Sequence, residues 1–282
     1  MTFDSVLTGI PQILRPIWDK FSISPVYFVS PEVVNNDDCC KVLKSEIERD
    51  AEIGTHLHSE YIEPQKKYND ATGTASNEFP CYAYDTETEF AKIKNLTELI
   101  EEKLGIRPVS YRAARYGADT DTINILKNLG YKIDSSITPG INWKKQGGPD
   151  HTKGPTEPYF ISKTDYYAQG DSPILEVPIT ISGKRFPLLP DKWMFYKWLR
   201  PSFMTAVEMK WLVNEYIKKY SEPVLNLMFH SMEILPGKTP FVRTKFGQKL
   251  YLSRLTSILK YMAEKGLQNK TLKQIYGEFQ AG

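Results

Sequence analysis

The sequence predicts an α/β fold, a (β/α) barrel or a close relative of one. Two observations lead to this prediction. Short runs rich in β-branched and aromatic residues alternate with amphipathic helical stretches, which is typical of parallel strands joined by helical crossovers. Polar or ionisable side chains also follow several of these runs directly, as active-site residues do at the carboxyl ends of barrel strands. The chain has 282 residues, enough for one domain with a large core.

The first third of the chain alternates helix and strand twice. Residues 9–21 place apolar side chains at helical spacing and predict a helix. Residues 24–30 are β-branched and aromatic and predict a strand. Residues 37–49 predict a second helix, with Asp37 or Asp38 as its N-cap. Residues 51–58 predict a second strand, which runs into a pair of histidines.

The middle of the chain repeats this pattern after a polar segment. Residues 63–84 are rich in turn formers and predict a loop. Residues 86–104 and 119–129 have helical periodicity, and each stretch is followed by a glycine that ends the helix. Residues 108–111 and 131–137 predict the strands that precede and follow the second of these helices.

The last part of the chain completes the alternation. A long segment rich in proline and glycine occupies residues 138–158. Residues 174–181 and 223–232 predict two further strands, and the second has a strongly apolar run. The remaining helices are predicted at residues 205–220, 245–265 and 271–279. About six strands around one core make a barrel the expected arrangement.

The composition excludes several classes of protein. The net charge is +2, so the chain lacks the basic footprint of a nucleic-acid-binding protein. Three cysteines form neither a disulfide framework nor a zinc–cysteine motif. No apolar stretch approaches the roughly 18 residues of a membrane span, and no signal peptide is visible. We therefore expect a cytoplasmic protein without a membrane span, and its oligomeric state stays open.

Residues 52–60 contain two of the four histidines of the chain and suggest metal chemistry. Imidazole and carboxylate groups are ligands of zinc and similar divalent metals. In an extended strand His56 and His58 point to the same side, whereas in a helical turn His56 and Glu60 share a face. His56, His58 and Glu60 are thus the candidate metal ligands, and the backbone conformation decides between the two pairs.

Three other predicted strands also deliver polar side chains at their ends. Arg112 could orient a carboxylate through bidentate hydrogen bonds. Asp134 could anchor the following loop or take part in binding. His230 follows a buried apolar run and is a candidate general acid or base. Trp143, in the long loop after Asp134, is a candidate for stacking on a sugar.

These motifs, in this order, resemble the polysaccharide deacetylases of carbohydrate esterase family 4, the NodB-homology domain. The resemblance rests on Gly-Thr-His-Leu-His at residues 54–58, Tyr-Arg-Ala-Ala-Arg-Tyr-Gly at residues 111–117, Asp-Ser at residues 134–135 and Phe-His at residues 229–230. These forms are closest to a branch of the family often found near glycosyltransferase genes. The similarity extends over about residues 9–267, and we treat residues 1–282 as one domain of this kind. It implies a distorted (β/α) barrel of about seven strands.

The resemblance also implies roles for individual residues. The family holds one divalent metal, most commonly zinc, with an aspartate and two histidines. His56 matches the first histidine, and the position of the second, four residues later, is Glu60, so either His58 or Glu60 takes its place. Arg112 matches the arginine that orients a catalytic aspartate, and His230 matches the general acid.

The remaining expected residues concern substrate binding and the first motif. Tyr116, Asp134 and Trp143 are the expected contacts to a carbohydrate substrate. The first motif of the family carries two adjacent aspartates at the end of the first strand, and this chain has Asp4 followed by a serine. Either Asp4 is the catalytic carboxylate, or the first strand and its acids lie upstream of Met1.

The resemblance therefore predicts a metal-dependent N-deacetylase of an N-acetylated sugar or polysaccharide. Two alternatives stay open. A catalytically impaired member of the family would bind a glycan or a partner protein. A hydrolase with the same barrel would act on an amide that is not part of a sugar.

Overall fold

The computed structural model describes residues 2–68, 78–185 and 194–281. A central sheet of six strands contains β1 (Val26–Val29), β2 (Glu52–Leu57), β3 (Ser110–Ala113), β4 (Ile133–Asp134), β5 (Tyr159–Phe160) and β6 (Leu175–Glu176). The strand order is β1-β2-β3-β4-β6-β5, and every neighbouring pair is parallel except β5 with β6. A separate antiparallel pair consists of β7 (Ile181–Arg185) and β8 (Met194–Trp198).

Helices follow most of the strands. A π-helical segment at Ser5–Leu14 leads into α1 (Arg15–Phe21). The other helices are α2 (Pro31–Val34), α3 (Asp37–Ile47), α4 (Pro80–Ala83), α5 (Thr86–Leu104), α6 (Thr120–Asn128), α7 (Ala206–Lys219), α8 (Lys245–Glu264) and α9 (Leu272–Ala281). Within the described ranges, every helix is too short or too polar to cross a membrane.

Local sequence explains why the helices begin and end where they do. Asp119 caps α6 by accepting a hydrogen bond from the backbone N–H of Thr122, while the Thr122 hydroxyl accepts one from the Asp119 N–H. Gly105 ends α5 with a φ of 74°, a left-handed conformation that favours glycine. The N-cap of α3 is Asn36, whose side chain accepts from the Cys39 N–H, so the prediction of Asp37 or Asp38 was one or two residues late.

The mostly parallel sheet confirms the predicted α/β class and the barrel-like arrangement, but the barrel is not closed. β1 is an outer strand of the sheet. Residues 223–232 were predicted to form a strand, and this prediction was wrong: residues 223–230 belong to neither sheet, and a short 3-10 turn follows at Ser231–Ile234. An apolar run identifies a segment that packs inward, but it does not guarantee a neighbouring strand with which to pair.

Gly54 fixes the close packing in the middle of the sheet. A Cβ atom there would lie 2.6 Å from the ring of Phe28 on β1 and 2.7 Å from Ser110 Oγ on β3. Both distances are far shorter than a van der Waals contact, so only glycine fits between these neighbours. The Phe28 ring in turn lies 4.4 Å from the Arg112 guanidinium. Close packing at Gly54 thus positions an arginine at the edge where the histidines lie.

Candidate active site

The carboxyl ends of β1, β2 and β3 meet at one edge of the sheet. β2 pairs with β1 and with β3, with His56 opposite Arg112 in the register. His56, His58, Arg112, Tyr116 and His230 all line a single large cavity at this edge. Side chains that lie far apart in the sequence therefore meet at the carboxyl ends of the strands, where active-site residues of barrels lie.

His56, in β2, and His58, the residue that follows it, point to the same side, as the prediction for an extended backbone required. The ring centroids of His56 and His58 are 4.8 Å apart. His56 Nδ1 lies 2.7 Å from the Arg112 carbonyl oxygen, to which it donates. His58 Nδ1 lies 2.7 Å from Glu32 Oε1, at the start of α2. No described hydrogen bond uses Nε2 of either ring, so both Nε2 atoms stay available to a ligand.

The two imidazoles differ in electrostatic environment. Burial lowers the pKa of His56 well below its usual range, and the neighbouring His58 lowers it further, so His56 is neutral. Burial also disfavours the charged form of His58, but the hydrogen bond and negative charge of Glu32 outweigh this effect and raise the pKa of His58. The pKa of Glu32 is correspondingly lowered by His58, against the effect of burial.

Glu60 occupies a different position from the histidine pair. It lies in a short 3-10 turn, Ser59–Tyr61, and burial raises the pKa of its carboxyl group. The turn is held by Lys92, whose ammonium group is fully buried and donates to the carbonyl oxygens of Ser59 and Ile62, each at 2.8 Å. The charge of Glu60 helps to raise the pKa of His58. Glu60 does not complete a set of three metal ligands with the two histidines.

His56 and His58 fit two of the ligand positions around one divalent metal. Both histidines have their Nδ1 atoms engaged by oxygen acceptors, which is how proteins orient metal-binding imidazoles. Glu32 Oε2 is buried without a hydrogen-bond partner. Within residues 2–68, 78–185 and 194–281, however, no three His, Cys, Asp or Glu side chains are arranged to hold a metal. Catalytic zinc usually has three protein ligands, so this donor set supplies two of them.

His230 is the third imidazole at this edge. Its side chain is 51% exposed, and Nδ1 lies 3.0 Å from Oε1 of the fully buried Glu233. Arg200 donates to the same carboxylate oxygen. Burial raises the pKa of Glu233, but the hydrogen bond with His230 and the charge of Arg200 outweigh this effect and lower the pKa. Nδ1 of His230 lies 3.0 Å from Glu233 Oε1 and 3.1 Å from the Arg200 guanidinium, so both neighbours engage this nitrogen. This leaves Nε2 of His230 as the free nitrogen.

Arg112 has different partners from those expected. It donates to the Ser135 carbonyl oxygen at 2.9 Å, to Ser135 Oγ at 2.7 Å and to Asn226 Oδ1 at 3.3 Å. No described ion pair joins Arg112 to a carboxylate. The guanidinium therefore connects β3 with the segment after β4 and with the segment that leads to His230.

Two predicted site residues have partners outside the histidine group. Asp4 is exposed at the start of the N-terminal helical segment, and its carboxylate is 2.8 Å from Lys238 Nζ, so its role as catalytic base stays a prediction. Asp134 is fully buried, and its two oxygens accept hydrogen bonds of 2.6 Å from Ser136 and Tyr166. The geometry makes Asp134 a core residue and does not support contact with a substrate.

Tyr116 and Trp143 form an aromatic pair beside the cavity. Their rings stack with centroids 6.0 Å apart and an interplanar angle of 23°. Tyr116 adopts a φ of 65°, unusual for a residue other than glycine, and its hydroxyl lies 3.6 Å from Met228 Sδ. The Trp143 indole N–H donates to Thr138 Oγ1 at 2.9 Å. The structure therefore brings together two of the residues predicted to contact a carbohydrate.

Sequence reasoning missed Glu32 and Glu233, the two carboxylates that hold the histidines. Signals for both were present. Glu32 follows the end of a predicted strand by two residues, and Glu233 lies three residues after His230, the spacing of a capping box.

Solved structures show what this chain resembles. No protein-family model matches the sequence, and no curated protein sequence does. A protein from Mycobacterium smegmatis assigned as a polysaccharide deacetylase has 17% identity and a TM-score of 0.58, covering 98% of this chain and 78% of its own. The Puue allantoinase has 14% identity and a TM-score of 0.57, covering 99% and 74%. A Pseudomonas aeruginosa PAO1 protein assigned as a polysaccharide deacetylase has 12% identity and a TM-score of 0.55, covering 96% and 71%.

These likenesses establish the fold. The chain has the fold of the polysaccharide deacetylases, as the sequence predicted. Because one fold supports several activities, the chemistry has to be argued from the side chains at the site.

Proposed function

We propose that this chain is a hydrolase that removes the acetyl group from an N-acetylated sugar with the help of a divalent metal, zinc being the first candidate. The observation that carries the proposal is the pair His56 and His58, each held at Nδ1 and each with Nε2 free. This is the arrangement of metal-binding histidines. The carbohydrate part of the proposal is supported by the stacked Tyr116 and Trp143 beside the same cavity.

His56 and His58 would hold the metal, which when bound supplies a Lewis acid for the acyl oxygen and a water of lowered pKa. Hydrolysis breaks the bond between the acyl carbon and nitrogen, joins the water oxygen to that carbon and adds a proton to the nitrogen. His230 is placed to deliver that proton, because Glu233 and Arg200 engage its Nδ1 and leave Nε2 free. A neutral His230 can also accept the proton of the attacking water before passing it on.

A panel of substrates tests the proposal. The zinc-loaded chain should release acetate from N-acetylated sugars, and His56→Ala should abolish this release. Small cyclic amides and formamides form a second set of substrates in the panel. They are included because an allantoinase has the same fold, so an amide that is not part of a sugar is the alternative substrate. If the chain hydrolyses only the cyclic amides, the proposed sugar substrate is wrong and the proposed hydrolase activity stands.

A second candidate function follows from the incomplete ligand set. Since the described residues supply two metal ligands rather than three, the chain could bind a glycan without cleaving it. That function predicts binding of N-acetylated oligosaccharide without acetate release at saturating zinc. Tryptophan fluorescence would report such binding through Trp143.

A further inference from the structure

Residues 234–263 have a strongly uneven charge. This stretch contains six lysines and arginines and no aspartate or glutamate, although the whole chain is nearly balanced at 36 basic and 34 acidic residues. Four of these cations lie around the start of α8: Lys238, Arg243, Lys245 and Lys249. A negative charge in the first turn of a helix stabilises it, and α8 has none there. The charge pattern therefore does not serve the stability of the helix.

The four cations around the start of α8 are exposed, and three of them lack an ionic partner. Lys238 pairs with the Asp4 carboxylate at 2.8 Å. Among the ion pairs between described residues, none includes Arg243, Lys245 or Lys249. Their charge is therefore directed to the solvent, where it attracts anions.

Large apolar side chains are exposed among these cations. Phe246 is 76% exposed, and Leu250, one helical turn later on the same face of α8, is half-exposed. Phe241, in the loop before the helix, is half-exposed as well. We call residues 238–250 the basic apolar segment. Exposed apolar side chains that cluster in this way mark a surface that binds another molecule.

The basic apolar segment is attached to the candidate active site. Gln248 Nε2 donates to the Ile234 carbonyl oxygen at 2.8 Å, which ties α8 to the 3-10 turn that follows His230. Met232, in the same turn, is half-exposed and lines the cavity together with His230. A surface that binds this segment therefore lies close to the catalytic side of the cavity.

The combination of cations and protruding apolar side chains fits an anionic lipid surface. Proteins that lie on membranes bury phenylalanine and leucine at the level of the headgroups, while the neighbouring lysines and arginines contact the lipid phosphates. Interfaces between proteins, in contrast, are depleted in lysine. A soluble acidic polysaccharide would satisfy the cations, but it would leave Leu250 in water.

We propose that the basic apolar segment binds the chain to the surface of an anionic lipid bilayer. Phe246 and Leu250 enter the headgroup layer, and Arg243, Lys245 and Lys249 contact lipid phosphates. Because only a few side chains take part, the binding is reversible and sensitive to salt. The proposal does not depend on the hydrolase activity, and it holds equally for a chain that binds a glycan without cleaving it.

Vesicle sedimentation with the full chain tests the proposal. Vesicles of phosphatidylcholine that contain about 30% phosphatidylglycerol should bind the chain at least about tenfold more tightly than vesicles of phosphatidylcholine alone. Sodium chloride at about 0.5 M should weaken the binding at least about fivefold, because salt screens the attraction between exposed charges.

A pair of double variants tests the cations. Lys245→Gln combined with Lys249→Gln should weaken binding to the anionic vesicles at least about tenfold. Lys260→Gln combined with Lys265→Gln is the matched control, because it removes the same charge from two exposed positions at the other end of α8. The control variant should bind within about twofold of the unmodified chain.

Variants of two exposed phenylalanines test the apolar contact. Phe246→Ser should weaken vesicle binding at least about fivefold, whereas Phe279→Ser, on α9, is the matched control and should bind normally. Phe246→Trp adds a fluorescent reporter at the same position. Its fluorescence should shift to shorter wavelengths with anionic vesicles and be quenched by brominated lipids, and Phe279→Trp should show neither change.

Several results would overturn the proposal. One is failure of the unmodified chain to bind the anionic vesicles at millimolar lipid, or equal binding to vesicles of phosphatidylcholine alone. Another is normal binding by the Lys245 and Lys249 double variant or by Phe246→Ser. A dimer of the unmodified chain that covers Phe246 would also overturn it, and so would binding of polygalacturonate, a soluble acidic polysaccharide, in place of the vesicles.

Discussion

Glu32 Oε1 lies 2.7 Å from His58 Nδ1, and this contact joins the start of α2 to the residue just after β2. The neighbouring His56 is held in the same way by the Arg112 carbonyl oxygen of β3. Two imidazoles at the end of one strand are thus fixed from both sides, by the helix that follows β1 and by β3. The arrangement orients the histidines before any ligand arrives, and it accounts for the candidate metal site.

Glu32→Gln should weaken zinc binding by about 10- to 100-fold, because the amide no longer supplies the negative charge that orients His58 and raises its basicity. Isothermal titration of the purified variant with zinc measures this change. Glu48→Gln makes the same change at an exposed residue just after α3. It is the matched control and should bind zinc like the unmodified chain. Equal affinity in both variants would remove Glu32 from the site.

His230→Ala should lower kcat by about 10²- to 10⁴-fold without changing zinc binding, because it removes the group that protonates the leaving nitrogen. Acetate release from an N-acetylated sugar gives kcat, and elemental analysis gives the metal content. Glu233→Gln is the informative companion, since it keeps the imidazole but loses the charge behind it. Unchanged turnover in His230→Ala would contradict the assigned role.

Arg112→Lys should destabilise the chain by about 1–3 kcal/mol. A lysine cannot donate to both Ser135 and Asn226, and it leaves buried acceptors unsatisfied. Thermal unfolding measures the loss. Arg107→Lys provides the control, because Arg107 is half-exposed and pairs with Glu101 at the surface. Similar melting temperatures in the two variants would show that the Arg112 hydrogen bonds contribute little to stability.

Glu89→Gln should stabilise the chain at alkaline pH. Burial raises the pKa of Glu89 from 4.5 to about 8. The folded chain therefore holds this proton more tightly than the unfolded chain, so the stability contribution is complete below about pH 4.5 and is lost as the pH rises through about 8. Glutamine does not titrate and can still accept from Thr122 Oγ1, which donates to Glu89 at 2.9 Å.

The melting temperature of Glu89→Gln should exceed that of the unmodified chain by a few degrees at about pH 9 and equal it near pH 4. Glu102→Gln, on the exposed side of the same helix, should show no such dependence. A difference that is independent of pH would mean that Glu89 is not protonated in the folded chain.

Parts of this site could be predicted because strand periodicity is a local property. The two-residue spacing of His56 and His58 fixes them on one side of a strand, and parallel strands bring Arg112 alongside. The partners of these side chains come from tertiary packing, which no local pattern reports. Glu32 and Glu233 were missed for this reason, although each lies close in sequence to a feature that had been recognised.

The incorrect predictions have physical causes of the same kind. Asp134 follows a strand as an active-site acid would, yet its neighbour in the register is Glu176 on β6, and both are fully buried. Residues 223–232 are apolar enough for a strand, but strand formation needs a partner on the open side of the sheet.

The most direct test of the metal site is the zinc content of the purified chain, measured by elemental analysis after equilibration with micromolar zinc. We predict about one zinc per chain, lost in His56→Ala and retained in His151→Asn, which removes a histidine that hydrogen-bonds to Thr138 away from the site. Absence of zinc from the unmodified chain, or equal zinc content in His56→Ala, would contradict the proposed metal site and with it the metal-dependent deacetylase.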